Sequence, residues 1–470
     1  MAILSTPGFN LQPSAEQVAV SSNYVTSFSF LNQYLPDTYE KEFERYGNRT
    51  VSSFLRLVGA ELPSNSDKII WAEQGRLHTK YTSCVTSAAS GLTTIDFTVN
   101  DPNVGATAAI RANQTLLIQD NATGLSNKAV VVSVTNLVVK IAFYEATPSI
   151  INGMTCTVFV YGSEFKKGTA GMVGSLEAED EIFTNKPIII KDKYEVNGSD
   201  MAQIGWIEVT TENGATGYLW YLKSEHETRL RFEDYLETAM IEAVPAAAGS
   251  GALTHLSTGT PTGAGSDGVF YVVNSRGNVW GGGNPTTLSD WDTVISRLDK
   301  QGAIEENVLF VNRDFGFDID DMLAAQNSYG AGGTSYGLFD NDKDMALNLG
   351  FTGFRRGYDF YKTDWKYLND PTMRGGMSTS AASKAITGLL VPAGSTNVYD
   401  QIMGKNAKRP FLHVRYRASE AEDRKYKTWI TGSAGGAQNS DIDKMEVNFL
   451  SERAVCTLGA NNFVLFRYGA

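Results

Sequence analysis

The sequence predicts an α+β protein assembled from several unlike segments. Three observations carry that reading: one uninterrupted amphipathic run at 218–244, a block of short β-prone runs at 83–165, and a β-patterned end that follows an α/β region.

In chain order, residues 1 to about 35 are rich in Ser, Asn, Gln and Pro with scattered aromatics, a composition that expects a partner surface to order it. Asp37 or Thr38 caps a short helix carrying Tyr39, Phe43 and Tyr46, and a second holds Val51, Phe54, Leu55 and Val58 before Gly59. Residues 1–60 therefore read as an N-terminal arm. Residues 61–82 and 166–215 read as a ribbon of two long strands, with Ile188, Ile189 and Ile190 between Lys186 and Lys191 as a charge-flanked edge. Between them, 83–165 carries TTIDFTV, QTLLIQD, KAVVVSVTNLVVKIAFYE and CTVFVYG, punctuated by Asp101-Pro102, Asn121, Gly124, Pro148 and Asn152-Gly153. That spacing predicts an inserted all-β sandwich or barrel.

Residues 216–286 centre on the helix 218–244. Leu222, His226, Leu230, Tyr235, Leu236, Ala239, Met240 and Ala243 recur at three-and-four spacing, and Glu225/Arg229 and Glu227/Arg231 stand in the favourable order before Pro245 ends the run. The expected packing face is Leu222, Leu230, Leu236 and Met240, with the charged stripe turned to solvent or a neighbour. A Gly, Ser, Thr and Ala linker follows. Residues 287–400 then read as α/β: a helix at 287–301 presenting Leu288, Trp291, Ile295 and Leu298, a buried strand at 307–311, a helix at 318–326 and a strand pair across 351–367. Residues 401–470 return to β with FLHVRYRA, KTWITG and CTLGANNFVLFRYGA.

Composition narrows the function classes. The chain has 470 residues, 42% of them hydrophobic, so it builds real cores. A formal charge of −12 disfavours attraction to nucleic acid by the whole-molecule field. The three cysteines, Cys84, Cys156 and Cys456, are widely spaced without a CxxC pair, which points to reduced thiols in a reducing compartment. The start lacks the charged and apolar regions of a secretory signal, and no run approaches a membrane span, so neither export by that route nor membrane insertion is expected.

The chemical motifs fail one by one. Gly333-Thr334-Ser335-Tyr336-Gly337 matches the nucleophile-elbow pattern, but the residues before it form a Gly-rich loop, not a strand, and His413 is the only later histidine. Asp340, Asp342 and Asp344 have the first calcium-loop spacings, yet Met345 and Phe351 occupy the positions that need Gly and Glu. Asp314-Phe315-Gly316 lacks the rest of a kinase signature, and Arg356 to Tyr361 places Asp359 where an RNA strand needs a small residue. His78, His226, His255 and His413 form no metal spacing, and neither phosphate-binding nor dinucleotide fingerprint occurs. Catalytic, cofactor and metal residues are accordingly predicted as none. The strongest charged patch is Lys405 to Lys427, with a net of +5, whose strand alternates Leu412, Val414 and Tyr416 with His413, Arg415 and Arg417. Pairing with acidic groups of its own fold or a neighbour is the favoured reading, and phosphate contact the second.

Arm, ribbon with insertion, long helix, α/β lobe and β return follow one another in the order of parts found in the major capsid proteins of tailed bacteriophages, the Hong Kong 97-type fold, and the chain resembles that family. Gly388 to Ser395, Phe310 to Asp314 and Gly459 to Val464 are similar in texture to the capsid proteins of crAss-like phages. The resemblance implies that the ribbon is an E-loop with an inserted domain, that 218–244 is the spine helix of a peripheral domain spanning 216–286, that 287–400 is an axial domain, and that 401–470 returns to both. It implies a non-enzymatic role: self-assembly into hexamers and pentamers that close an icosahedral shell around double-stranded DNA. The implied partners are further copies, auxiliary or decoration proteins and a portal, with DNA held non-specifically at most and no membrane. The shell itself is the implied location, with assembly in the host bacterial cytoplasm. The rival readings are a serine hydrolase using Ser335, and a phage tail or receptor-binding protein, which would be a compact trimer or a fibre.

Overall fold

The computed structural model describes residues 60–75, 78–87, 94–100, 107–174, 180–202, 209–210, 216–217, 220–256, 264–302, 304–327, 352–377, 384–400, 405–436 and 438–469. Residues 1–59 of the expected arm, where two short helices are predicted, Ser335 and the Asp340, Asp342 and Asp344 triplet lie outside them. Two compact units divide the chain, one of residues 71–183 and one of the chain on either side.

Strand β1 (Ala60–Ser64) is followed by β2 (Ile69–Gln74), which pairs with β9 (Asp180–Asn185) as a two-stranded ribbon. Between β2 and β9 run β3 (Lys80–Ser87), β4 (Thr94–Val99), β5 (Gln114–Asp120), β6 (Ser126–Thr135), β7 (Val138–Phe143) and β8 (Thr155–Ser163), which close into an antiparallel barrel in the order β3-β4-β7-β6-β5-β8. Alternation builds its interior: Ile95, Phe97 and Val99 of β4, Leu116 and Ile118 of β5, and Val139 and Ile141 of β7 all point inward and are buried together. Closure leaves these strands without a free edge.

Strand β10 (Ile188–Asn197) starts three residues after β9 ends, yet it does not extend the ribbon. It pairs antiparallel along its whole length with β20 (Lys444–Thr457), so the sequence reading of 166–215 as one ribbon arm is corrected here. The reason is burial. Along β20, Met445, Val447 and Phe449 alternate inward and every residue from Phe449 to Thr457 is buried, the pattern of an interior strand covered on both faces. On its other edge it pairs first with β19 (Lys427–Gly432) and then with β18 (Leu412–Arg417), and β18 takes β1 as a parallel neighbour. The start of the predicted ribbon is therefore also a strand of this five-stranded sheet.

The long helix α1 (Trp220–Glu242) lies on that sheet. Phe232 and Leu236 pack on Met445, Val447 and Phe449 of β20, and Met240 and Ile241 continue into the next core. Of the predicted face, Leu236 and Met240 are buried and Phe232 continues their four-residue row, whereas Leu230, six residues from Leu236, lies off that row and is only partly buried, and the Leu222 side chain lies outside the described residues. The charged stripe is likewise not all turned outward, because Asp234 and Glu237 are buried. The Arg231 guanidinium reaches Asp192 of β10 through Nε and Nη2, each at 3.0 Å.

Helix α2 (Val269–Arg276) leads into a six-stranded sheet ordered β11-β21-β15-β12-β14-β13, formed by β11 (Asn278–Trp280), β12 (Glu306–Val311), β13 (Gly353–Arg356), β14 (Tyr358–Asp364), β15 (Ile386–Pro392) and β21 (Val464–Arg467). A separate hairpin of β16 (Ser395–Asp400) and β17 (Lys405–Pro410) precedes β18. Helices α3 (Leu288–Gln301) and α4 (Arg313–Asn327) cover one face of the six-stranded sheet, where Trp291, Leu298, Phe315 and Ile319 meet Leu309, Leu390 and Phe466. The residues next in line, Phe310, Leu389 and Leu465, point the other way and join α2, Trp365 and the five-stranded sheet in a second core. Strands β12 to β15 of this sheet come from within 287–400, β11 from just before it, and β21 from the final segment, which the sequence expects to return here.

Local signals set the helix ends. Thr287 and Asp290 cap α3 reciprocally, and Gly302, at φ 68°, closes it in the left-handed conformation. At α4 the Asn312 side chain accepts from the Phe315 amide at 2.9 Å.

Candidate functional site

The predicted absence of a catalytic set leaves the charged segment 405–427 as the candidate to be built. Strand β18 positions it. Leu412, His413 and Val414 are all buried, because β18 has strands on both sides and core below, while Arg415, Tyr416 and Arg417 emerge toward its end. The alternation expected of this strand is not observed: His413 is buried with Leu412 and Val414, and Tyr416 is as open as Arg415 and Arg417.

The cations meet carboxylates of the same sheet. Arg417 pairs with Asp67 and lies 3.6 Å from Glu452, and Arg424 Nε is 2.7 Å from the other Glu452 oxygen. Lys425 Nζ is 2.5 Å from Glu61, and Lys427 Nζ is 2.7 Å from Glu422. Arg415 donates to the Pro63 carbonyl at 3.1 Å. Arg453, only 6% exposed, donates to Ser451 Oγ at 2.9 Å and the Lys425 carbonyl at 3.0 Å, and its Nη1 stands 3.4 Å from Glu61. Paired in this way, these side chains tie β1 and the loop after it to β18 and β20, so Arg415, Arg417, Arg424, Lys425 and Lys427 are engaged within the fold. Lys405 and Lys408 have no described side chains. Sequence reading missed Glu61, Asp67, Glu452 and Arg453, the first two because they fell in the ribbon and the others because 444–455 was assigned to no strand.

Burial, with Arg415 and Arg409 nearby, holds the His413 imidazole down at about 4, and its Nδ1 faces the Pro410 carbonyl at 3.3 Å. His78 and His255 are exposed and distant in sequence from any acidic cluster. Tyr367 donates to Glu242 at 2.7 Å, and Arg374 pairs with the same carboxylate while lying over the Phe270 ring at 5.1 Å, so the end of α1 is clamped to the 365–376 segment. Phe315 of the kinase-like triplet is a core residue against Trp291 and Phe466. Among the described residues, no three His, Cys, Asp or Glu side chains are grouped to hold a metal, and no helix is long and apolar enough to cross a membrane. A cavity of about 390 Å³ in the 71–183 unit has Arg111 as its charged lining residue, and that guanidinium already donates to the Ala108 and Ile110 carbonyls.

What the fold does present is open strand. The ribbon β2/β9 has no third strand among the described residues, and it exposes Ile70 at 59% and Ile182 at 67%. Among the described residues, strand β19 pairs on one side only, and it exposes Trp429 and Ile430.

No protein-family model and no curated protein matches the chain. Among solved structures, it is similar to one titled for Microbacterium phage Oxtober96, with 10% identity, 91% of this chain and 95% of that chain covered and a TM-score of 0.39. Mycobacterium phage Ogopogo gives 11% identity, 92% and 96% coverage and a TM-score of 0.39. A capsid of a native GTA particle computed with C5 symmetry gives 9%, 93%, 97% and 0.38.

Proposed function

We propose that this chain is the major capsid subunit of a tailed bacteriophage, a structural protein with no reaction of its own. The order of parts in the sequence supports this through its resemblance to Hong Kong 97-type capsid proteins, with crAss-like phages closest in texture. One observation carries the reading further: β2/β9 is a bare two-stranded ribbon with exposed isoleucines. Such a pair is marginal by itself in water and gains stability by lying on another surface.

On this reading, the ribbon acts as the E-loop and α1 as the spine. The arm and ribbon lie over neighbouring copies, and rotation closes copies into hexamers and pentamers that tile an icosahedral shell around double-stranded DNA. Many modest contacts held together give the shell its strength. Auxiliary proteins and a portal complete the virion, assembled in the host cytoplasm. Because the cations of 415–427 are paired within the fold, contact with packaged DNA through them is weak and non-specific.

Sedimentation and electron microscopy of the purified chain test this directly. Closed shells are expected. Discrete trimers, fibres or persistent monomers would overturn it, as would esterase turnover abolished by Ser335→Ala. Deletion of residues 1–35 should leave a soluble chain that no longer forms shells.

A further inference from the structure

We propose that Cys84 and Cys156 are a latent cross-strand disulfide, a built-in site of oxidative modification that staples the barrel once reductant is withdrawn. The two residues face each other in the register of β3 and β8. Both are thiols, and both are 0% exposed, turned into the same barrel core.

The geometry suits a bond. The Thr86 amide donates to the Met154 carbonyl at 2.9 Å, one of the two bonds of a hydrogen-bonded pair, while the Met154 amide turns to Thr86 Oγ1 at 2.9 Å and Gly153 donates to the Thr86 carbonyl. Two residues back along each strand, Cys84 and Cys156 form a pair of the same kind. Residues so placed have Cα atoms about 5.5 Å apart, inside the disulfide range of about 4.4–6.8 Å. Directly opposite Cβ atoms stand about 4.5–5.5 Å apart, toward the wide end in a hydrogen-bonded pair, and a disulfide needs about 3.5–4.5 Å, so the two Cβ atoms must approach by roughly 1–2 Å. A register shift between Tyr81 and Cys84 lies beside the pair and supplies local slack. Chance pairing with the third cysteine is remote, because Cys456 sits opposite His413 in the five-stranded sheet.

The chemistry is thiol–disulfide exchange with an oxidised low-molecular-weight disulfide. One cysteine, deprotonated, attacks that reagent's S–S bond and releases one thiolate. The second cysteine then attacks the mixed disulfide at the protein sulfur, forming Cys84–Cys156 and releasing a second thiolate. Two electrons pass from the protein dithiol to the reagent, and the two cysteine protons end on the released thiols. Burial, with the nearby Asp120 carboxylate, pushes the Cys156 thiol up to about 11, so exchange is slow in the closed barrel and proceeds during its openings. Oxidation on leaving a reducing host interior is the setting that the capsid reading supplies. The chemistry itself does not depend on that reading.

The test uses the soluble full chain, so it is independent of shell formation. The protein is incubated with oxidised glutathione without reductant, in buffer and in dilute urea that promotes opening, then denatured in acid and alkylated. Non-reducing peptide mass spectrometry should find Cys84 joined to Cys156, and the number of alkylated thiols should fall from three to one. Cleavage within 71–183 by trypsin should slow severalfold and recover on adding dithiothreitol. Cys456→Ala should leave the bridge intact, and Cys84→Ala should abolish it. Three alkylated thiols under both conditions, glutathione adducts that never resolve, or a bridge to Cys456 would each overturn the proposal.

Discussion

The side-chain amide of Asn185 donates to the Val455 carbonyl at 2.6 Å, joining the end of β9 to β20 across 270 residues of sequence. The same amide donates to the Asp267 carbonyl at 3.0 Å, and its oxygen accepts from Ser266 Oγ at 2.9 Å, the Asp267 amide at 2.9 Å and the Lys186 amide at 2.7 Å. One buried carboxamide thus fixes three chain segments where the ribbon ends. Asn185→Leu strands these donors and acceptors away from water and should cost roughly 3–5 kcal/mol, read as a lower urea midpoint with an unchanged slope.

Gly268 begins α2 against the end of α1. A Cβ there would lie 2.6 Å from the Ala243 carbonyl oxygen and 2.7 Å from its nitrogen, both backbone atoms with nowhere to move. Gly268→Ala should therefore destabilise by roughly 1–3 kcal/mol in chemical unfolding, although its φ of −74° suits alanine.

The packing face of α1 separates two readings of one helix. Phe232→Ala should cost roughly 3–5 kcal/mol, because the ring is fully buried against Phe449 and Tyr426. Leu230→Ala, half exposed, should cost about 1 kcal/mol or less. Leu236→Asp places a charge among Met445, Val447 and Phe449 and should prevent soluble expression. Equal losses at 230 and 232 would contradict the stripe described here.

Arg453 holds Glu61, Ser451 and the Lys425 carbonyl from a nearly buried position. Arg453→Met should cost roughly 3–5 kcal/mol in equilibrium unfolding by leaving its partners short of a donor. Hydrogen exchange should rise first in β1, the edge strand that Glu61 belongs to.

His413 gives the fold an acid-sensitive point. Its imidazole titrates near 4 in the folded chain and near 6.5 when unfolded, so between those values the unfolded state binds the extra proton. Stability from this group is complete above pH 6.5 and falls as pH drops toward 4, by roughly 3 kcal/mol in all. His413→Gln should flatten that part of the profile, measured as the difference in urea midpoint from wild type at pH 4.5 and pH 7.

Much of the α/β lobe was legible because its signals are local. The Thr287 and Asp290 cap, the period of α3 and the apolar run of β12 need no distant partner to be read. The strand β20 was not legible. Its alternation of Met445, Val447 and Phe449 breaks at Leu450, and Ser451, Glu452 and Arg453 then interrupt the apolar pattern although all three are buried. Their burial is made tolerable by Glu61, Arg424 and the Lys425 carbonyl, groups far away in sequence. The charged segment at 405–427 was visible, but its carboxylate partners were not, for the same reason.

By itself the sequence determined which stretches are helix or strand where period and caps agree, that Trp291 and Leu298 face a core, and that 405–427 is basic. Only the tertiary structure decided that β10 leaves the ribbon for β20, that Phe232 and not Leu230 seats α1, that the basic segment is spent on its own sheet, and that Cys84 meets Cys156. Periodicity fixes which side of an element turns inward. It carries no information about which distant strand supplies the missing hydrogen bonds or countercharges, and those pairings are settled only when the whole chain has to satisfy its buried polar groups at once.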